Sequence, residues 1–262
     1  MENIFFITDL DRTIIHSKHK GYKCVEKLED REITYMTNYA YDKLQELLKN
    51  ELFIFIPCTM RSISQTLRVD FIRVYNPRII ICTNGAQIYI DGKLDNEWDK
   101  QMKNLCNYNE LIENINYLEE LKEIYKESIN IIDVRNIENF YITVKCKDSE
   151  EANKFYYIIK DKFSKNIDVL KIEAKIFIIH KKINKVYAVD YIVKKFNIKN
   201  LITSGDTEVD KEFTTRGIAI LPKHSSFKHD KAIITRKDKI NSTEEILDYI
   251  NDLLYKYENK FI

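Results

Sequence analysis

Short runs of apolar residues recur along the chain: Ile4 to Ile7, Leu52 to Ile56, Ile79 to Cys82, Leu201 to Thr203, Ile218 to Leu221 and Ala232 to Ile234. They are apolar at consecutive positions, the pattern of strands covered on both faces. Between them lie helical patterns. Asn38 to Lys49 carries Tyr41, Leu44, Leu47 and Leu48 on one face, and Val186 to Phe196 repeats the period. Strand, helix and strand in alternation predict a parallel sheet of Rossmann type with helices on its faces.

The middle of the chain changes rhythm. Ile88 to Ile90, then Asp91-Gly92 and Leu94, predict a small hairpin, since Asp-Gly favours a two-residue turn. Helices are expected over Tyr108 to Lys126 and Ser149 to Phe163. Strands are expected over Ile129 to Asp133, Phe140 to Cys146, Ile167 to Ile172 and Ile176 to Ile179. A helix followed by two strands, twice over, suits a separate α+β unit with an antiparallel sheet. The expected organisation is therefore an α/β core of residues 1–86 and 182–262 with an inserted unit at 87–181. A last helix over Thr243 to Tyr257 opens with Ser242 and Glu245, the spacing of a capping box. The polar stretch from His16 to Glu32 reads as a solvated surface loop, with lining of an entrance by His16, Lys18, His19 and Lys20 as the alternative.

Composition narrows the class. The 262 residues include 42 basic and 41 acidic side chains, so bulk charge gives no reason to expect nucleic acid or an anionic membrane as partner. No apolar stretch reaches the roughly 20 residues that span a bilayer. Glu2, Asp9 and Asp11 near the start are foreign to a signal peptide, so a cytoplasmic protein is expected. The five cysteines are widely spaced without a CxxC pair, which fits neither a disulfide framework nor a zinc site.

Chemistry enters at the strand ends, where open α/β sheets bind their ligands. Asp9 and Asp11, two apart behind the first strand, can face one side of the loop, one attacking and the other moving protons. Thr59 ends the second strand, where a hydroxyl can hold a phosphoryl oxygen, although such a threonine also caps helices. Lys185 opens a helix, a place that suits a cation only when an anion occupies the site. Asp206 and Asp210 follow another strand, and with Asp9 they can hold a hard cation; magnesium suits so few carboxylates because it keeps waters and substrate oxygens.

Four motifs, Asp9-Leu10-Asp11-Arg12-Thr13, Thr59 within Cys58-Thr59-Met60-Arg61-Ser62, Lys185, and Gly205-Asp206-Thr207-Glu208-Val209-Asp210, together resemble the haloacid dehalogenase (HAD) superfamily of phosphotransferases. The resemblance covers the whole chain. An insert entered through Asn84-Gly85-Ala86 is similar to that of subclass IIB, the Cof-type and sucrose-phosphate-phosphatase-like proteins. It implies a phosphatase acting on a small phosphorylated metabolite of the sugar-phosphate type, with Asp9 as nucleophile, Asp11 as acid and base, and a mobile cap that shapes substrate choice. It also implies that Asp9, the carbonyl of Asp11 and the side chain of Asp206 bind Mg2+, with Asp210 in support. Thr59 and Lys185 would hold the phosphoryl group; Leu10, through its amide, and Arg61, Asn84 and Gly85 would bind substrate. The rival readings are a phosphomutase of the phosphomannomutase type, which shares fold and cap, and a non-catalytic binding or regulatory protein. Two positions depart from the pattern: Arg12 and Met60 stand where glycine is usual.

Overall fold

The computed structural model describes residues 3–17 and 21–259. Lys18, His19 and Lys20, named above as possible entrance residues, lie outside them.

The chain opens with strand β1 (Ile4–Thr8), then β2 (Lys23–Leu28), β3 (Arg31–Met36), helix α1 (Asn38–Leu48), β4 (Phe53–Pro57), α2 (Ile63–Thr66), α3 (Asp70–Tyr75), β5 (Ile79–Cys82), β6 (Gln87–Ile90) and β7 (Lys93–Leu94). The insert holds α4 (Asn96–Leu105), α5 (Tyr108–Ile124), β8 (Ile131–Ile137), β9 (Tyr141–Cys146), α6 (Ser149–Ile159), β10 (Ile167–Ile172) and β11 (Lys175–His180). The return comprises α7 (Lys185–Lys195), β12 (Asn200–Ser204), α8 (Lys211–Thr214), β13 (Ile218–Leu221), β14 (Ile233–Ile234) and α9 (Ser242–Asn259).

Five of these strands form one parallel sheet in the order β14-β13-β12-β1-β4. β1 lies inside the sheet between β12 and β4, with Phe6 and Ile7 buried on its opposite faces. Phe6, Phe53, Phe55 and Phe71 make a chain of aromatic contacts, with ring centroids 6.1 to 6.2 Å apart. A ring buried so fully contributes about 1.5–3 kcal/mol. Thr37 caps α1 by accepting the Ala40 amide, and the helix buries Ala40, Leu44 and Leu47 against the sheet.

Two compact units result: residues 1–95 with 184–262, and residues 96–183. Sequence reasoning puts the first boundary at 86/87. The hairpin of β6 and β7 nevertheless belongs to the first unit, because β6 pairs with β5. Its Asp91-Gly92 turn has positive φ at both residues, 50° and 73°, as Asp-Gly favours. The second unit is a four-stranded antiparallel sheet, β10-β11-β9-β8, with α5 and α6 burying Leu118, Phe155 and Ile159 on one of its faces. Helix α4 escaped sequence reasoning; its Trp98 and Met102 are buried, and its polar positions obscure the period.

The stretch from 16 to 32 corrects the surface-loop expectation. It leads into the antiparallel pair β2–β3, and His16 is buried, its Nε2 2.9 Å from the Thr243 hydroxyl. The pair was illegible because its inward positions include Glu26 and Thr34, which bond to each other at 3.1 Å. The capping box expected for α9 is also absent. Ser242 Oγ donates to the Lys239 carbonyl, while Glu245 accepts the amides of Arg236 and Lys237, so both side chains tie the helix to the preceding loop. Among the described residues no helix is long and apolar enough to cross a membrane.

Candidate active site

Backbone hydrogen bonds draw three strand ends together. The Asp9 amide donates to Ser204 O at the end of β12, and the Cys58 amide donates to Thr8 O at the end of β1. Beyond β1 the Leu10 carbonyl accepts the amides of Thr13, Ile14 and Ile15, which turns the chain back and buries the Leu10 side chain. Asp9 and Asp11 thus emerge from one tight loop. Thr59 follows β4, Asp206 follows β12, and Lys185 is the first residue of α7, whose N-cap Asn184 accepts the Val186 amide.

Lys185 is the centre of the charge arrangement. It is 1% exposed, and Nζ donates to Asp9 Oδ1 at 2.6 Å and to Asp210 Oδ1 at 2.7 Å. The other oxygen of Asp210 accepts from the amides of Asp206 and Thr207 and from Thr207 Oγ1. Asp210 therefore shapes the loop that presents Asp206 and aims Lys185. Gly205 makes this possible: a Cβ there would lie 2.4 Å from Asp210 Cβ.

Asp9, Asp206 and Asp210 present oxygens within 4.8 Å of one another. Against these three carboxylates stand two cations, Lys185 and Arg12, the latter with Nε 3.1 Å from Asp206 Oδ2. With all three carboxylates ionised, one negative charge is in excess. Burial, reinforced by Asp210 and Asp11 and opposed by Lys185, pushes Asp9 up to about 7. Burial with the charges of Asp9 and Asp210 pushes Asp206 up to about 8. Burial works against the charge of Lys185, but Asp210 and Asp9 outweigh it and raise its pKa. Asp206 Oδ2 is buried without a hydrogen-bond donor. Hard oxygen donors, an excess of negative charge and one such oxygen fit a small divalent cation.

Asp11 stands apart from this cluster and is half exposed. Both of its oxygens accept from Arg61, Oδ2 from Nε and Oδ1 from Nη2, each at 2.7 Å. Arg61 in turn donates through Nη1 to Glu26, whose side chain is fully buried and also pairs with Arg68. Burial opposes the guanidinium charge, but Asp11 and Glu26 prevail and raise its pKa. Glu26 and Arg68 were missed by sequence reasoning; a lone acid in a charged stretch carries no signal of burial. Thr59 is buried, its hydroxyl accepting the Arg61 amide and its carbonyl the Asn84 amide. Asn84 and Gly85 are buried at positive φ, 55° and 88°, and a Cβ on Gly85 would meet Asn184 O at 2.8 Å. Glycine at 85 thus lets the β5 exit pack onto the start of α7.

Residues 2–240 match the family described as sucrose-6F-phosphate phosphohydrolase. A comparison with curated proteins finds no match in sequence. Among solved structures, the sucrose-phosphatase of Synechocystis sp. PCC6803, determined with sucrose and phosphate, is 11% identical with a TM-score of 0.60, covering 96% of this chain and 99% of that one. A protein of Streptococcus mutans UA159 is 18% identical, with a TM-score of 0.62 and coverage of 97% and 100%. An HAD subclass IIB sugar phosphatase is 14% identical, with a TM-score of 0.59 and coverage of 95% and 99%. At such identities the structures speak for the fold.

Proposed function

The chain belongs to the sucrose-6F-phosphate phosphohydrolase family, HAD-type phosphatases of subclass IIB, and on that premise we propose that it hydrolyses a small sugar phosphate, with magnesium, through an aspartyl-phosphate on Asp9. The observation that carries the reading is the buried contact of Lys185 with Asp9 and Asp210 beside the Asp206 oxygen that has no hydrogen-bond donor. That arrangement serves an attacking carboxylate next to a cation-binding one.

Asp9 and Asp206 are the side chains that would hold magnesium, with the Asp11 carbonyl; bound there, the ion would offset the negative charge of the phosphoryl oxygens. In the first step an Asp9 oxygen bonds to phosphorus as the ester oxygen departs, and Asp11 in its protonated form supplies that oxygen with a proton. In the second, Asp11 takes a proton from water, whose oxygen attacks phosphorus and frees Asp9. Splitting a very slow hydrolysis into two displacements is the benefit of the covalent route, and a placed proton donor adds about 10²- to 10⁴-fold. Lys185 and the hydroxyl of Thr59 would bind the transferred group, with the amides of Leu10 and Asp11 donating to its oxygens. Arg61 would keep Asp11 aimed through one oxygen and release the other to carry the proton, and Asn84 with Gly85 would border the substrate.

The test is phosphate release from a panel of hexose and disaccharide phosphates, with nucleotides and phosphoglycerate as controls, in magnesium and in chelator. Magnesium-dependent release from sugar phosphates, lost in Asp9→Asn, is the expected result. Full turnover in excess chelator, or isomerised sugar phosphate without net release, would overturn it.

A further inference from the structure

Arg12 occupies the position where the family resemblance calls for glycine, and it adopts the left-handed backbone that glycine would favour, φ 64°. A residue with a Cβ spends about 1–2 kcal/mol in that conformation. The surroundings hold it there. The Arg12 amide donates to Ile15 O at 2.7 Å, and its carbonyl accepts from His224 Nε2 at 2.8 Å. His224 is itself fixed, because its Nδ1 receives the Lys239 amide at 3.1 Å. The side chain so launched places Nε 3.1 Å from Asp206 Oδ2, with the carboxylate 1% exposed and the arginine 35%.

The contact falls on the one Asp206 oxygen that is buried and lacks a hydrogen-bond donor. The pairing is therefore ionic rather than directional, and an ion pair of this kind can be exchanged for another cation without breaking a well-formed hydrogen bond. A divalent ion on Asp206 and a guanidinium at 3.1 Å from the same oxygen would repel each other in a site that screens charge poorly. Two cations thus contend for one oxygen.

We propose that Arg12 is a built-in competitor for the metal: it neutralises Asp206 when no divalent ion is bound, must withdraw when one enters, and so weakens the protein's affinity for magnesium. The proposal rests on the reading above that Asp206 ligates magnesium.

Calorimetric titration of magnesium chloride into the full-length protein at about pH 9, where the site's carboxylates are ionised, and without substrate, tests it. Arg12→Met keeps the Cβ and the strained backbone and removes only the charge; it should bind magnesium about three- to tenfold more tightly than the wild type. Arg12→Lys should stay closer to the wild type. In chelator, Arg12→Met should melt below the wild type because three carboxylates then share Lys185 alone, and saturating magnesium should raise its melting temperature by more than it raises that of the wild type. If Arg12→Met folds poorly, Arg12→Gly, which suits the positive φ, should show the same tightening. Equal affinity within twofold in the charge-free variants, or weaker binding, would overturn the competition while leaving the metal site standing. No magnesium binding by any of the proteins would overturn both.

Discussion

Gly205→Ala isolates one contact in the site. No positive φ binds position 205 to glycine, so alanine meets no backbone penalty and the effect is steric. The added Cβ would stand 2.4 Å from Asp210 Cβ and 2.8 Å from its Cγ, far inside any tolerated carbon–carbon approach. Relief requires either a shift of the β12 end or displacement of Asp210. Overpacking of this kind costs about 1–3 kcal/mol. Displacing Asp210 would weaken its bond to Lys185 and its three bonds to the 206–207 loop, and bonds to a charged group are worth about 1.5–3 kcal/mol each. The cheaper route sets the loss, so Gly205→Ala should lose about 1–3 kcal/mol in urea unfolding. Gly92→Ala, with nothing within 4 Å of its Cβ and φ 73°, is the control and should lose only the conformational strain of about 1–2 kcal/mol. Because the nearest contact is with Cβ, Asp210→Ala in the Gly205→Ala background should not restore stability. A loss below about 0.5 kcal/mol, or its rescue by Asp210→Ala, would refute the reasoning.

Lys185→Met leaves buried carboxylates without their shared cation, and in chelator it should lose about 3–5 kcal/mol at pH 8. Protonation limits that loss at about 1.4 kcal/mol per pH unit above 3.8, so at pH 5.5 it should be near 2 kcal/mol, and equal losses at both pH values would count against the arrangement. The folded pKa values of Asp9 and Asp206, raised to about 7 and about 8, mean that the metal-free fold holds protons the unfolded chain has released; its stability should fall as pH rises from about 4 to 8, a slope that melting scans in chelator would read and that magnesium should flatten. Asp11→Asn should slow the first step about 10²- to 10⁴-fold for an alkyl phosphate and less for an aryl phosphate, and equal slowing of both in single-turnover assays would remove Asp11 from the role of acid. Glu26→Gln should leave Arg61 with less opposing charge and cost about 1–3 kcal/mol, measured by denaturation.

What was legible in the sequence follows from which residues report their own environment. Ile79 to Cys82 and Ile218 to Leu221 are bounded in the structure as the apolar runs suggest, since a strand with no polar position has nothing to blur its ends. The candidate-site motifs were legible for a related reason: an open α/β sheet binds its ligands at the carboxyl ends of its strands, so Asp9 and Asp206 carry their address in the apolar residues before them. The hairpin of β2 and β3 had no such address. Its buried positions hold Glu26 and Thr34, and those residues are tolerable inside only because Arg61, Arg68 and each other satisfy them. A polar residue buried through distant partners is indistinguishable, in one sequence, from a polar residue in water.

Asp210 shows the same limit from the opposite side. Its spacing of four from Asp206 suggests two carboxylates side by side on a helical turn, both free to ligate. Instead Asp206 precedes the short 3₁₀ turn at Glu208–Asp210, and Asp210 folds back over Gly205 to hold the loop with one oxygen and Lys185 with the other. Spacing constrains where a side chain can reach and says nothing of which donors reach it first. With both Asp210 oxygens committed to the protein, the carboxylates left to face a cation are Asp9 and Asp206. One of them already touches Lys185 and the other Arg12, so on the proposed reading the identity of residue 12, rather than the number of acids, would bear most directly on how strongly a metal is held.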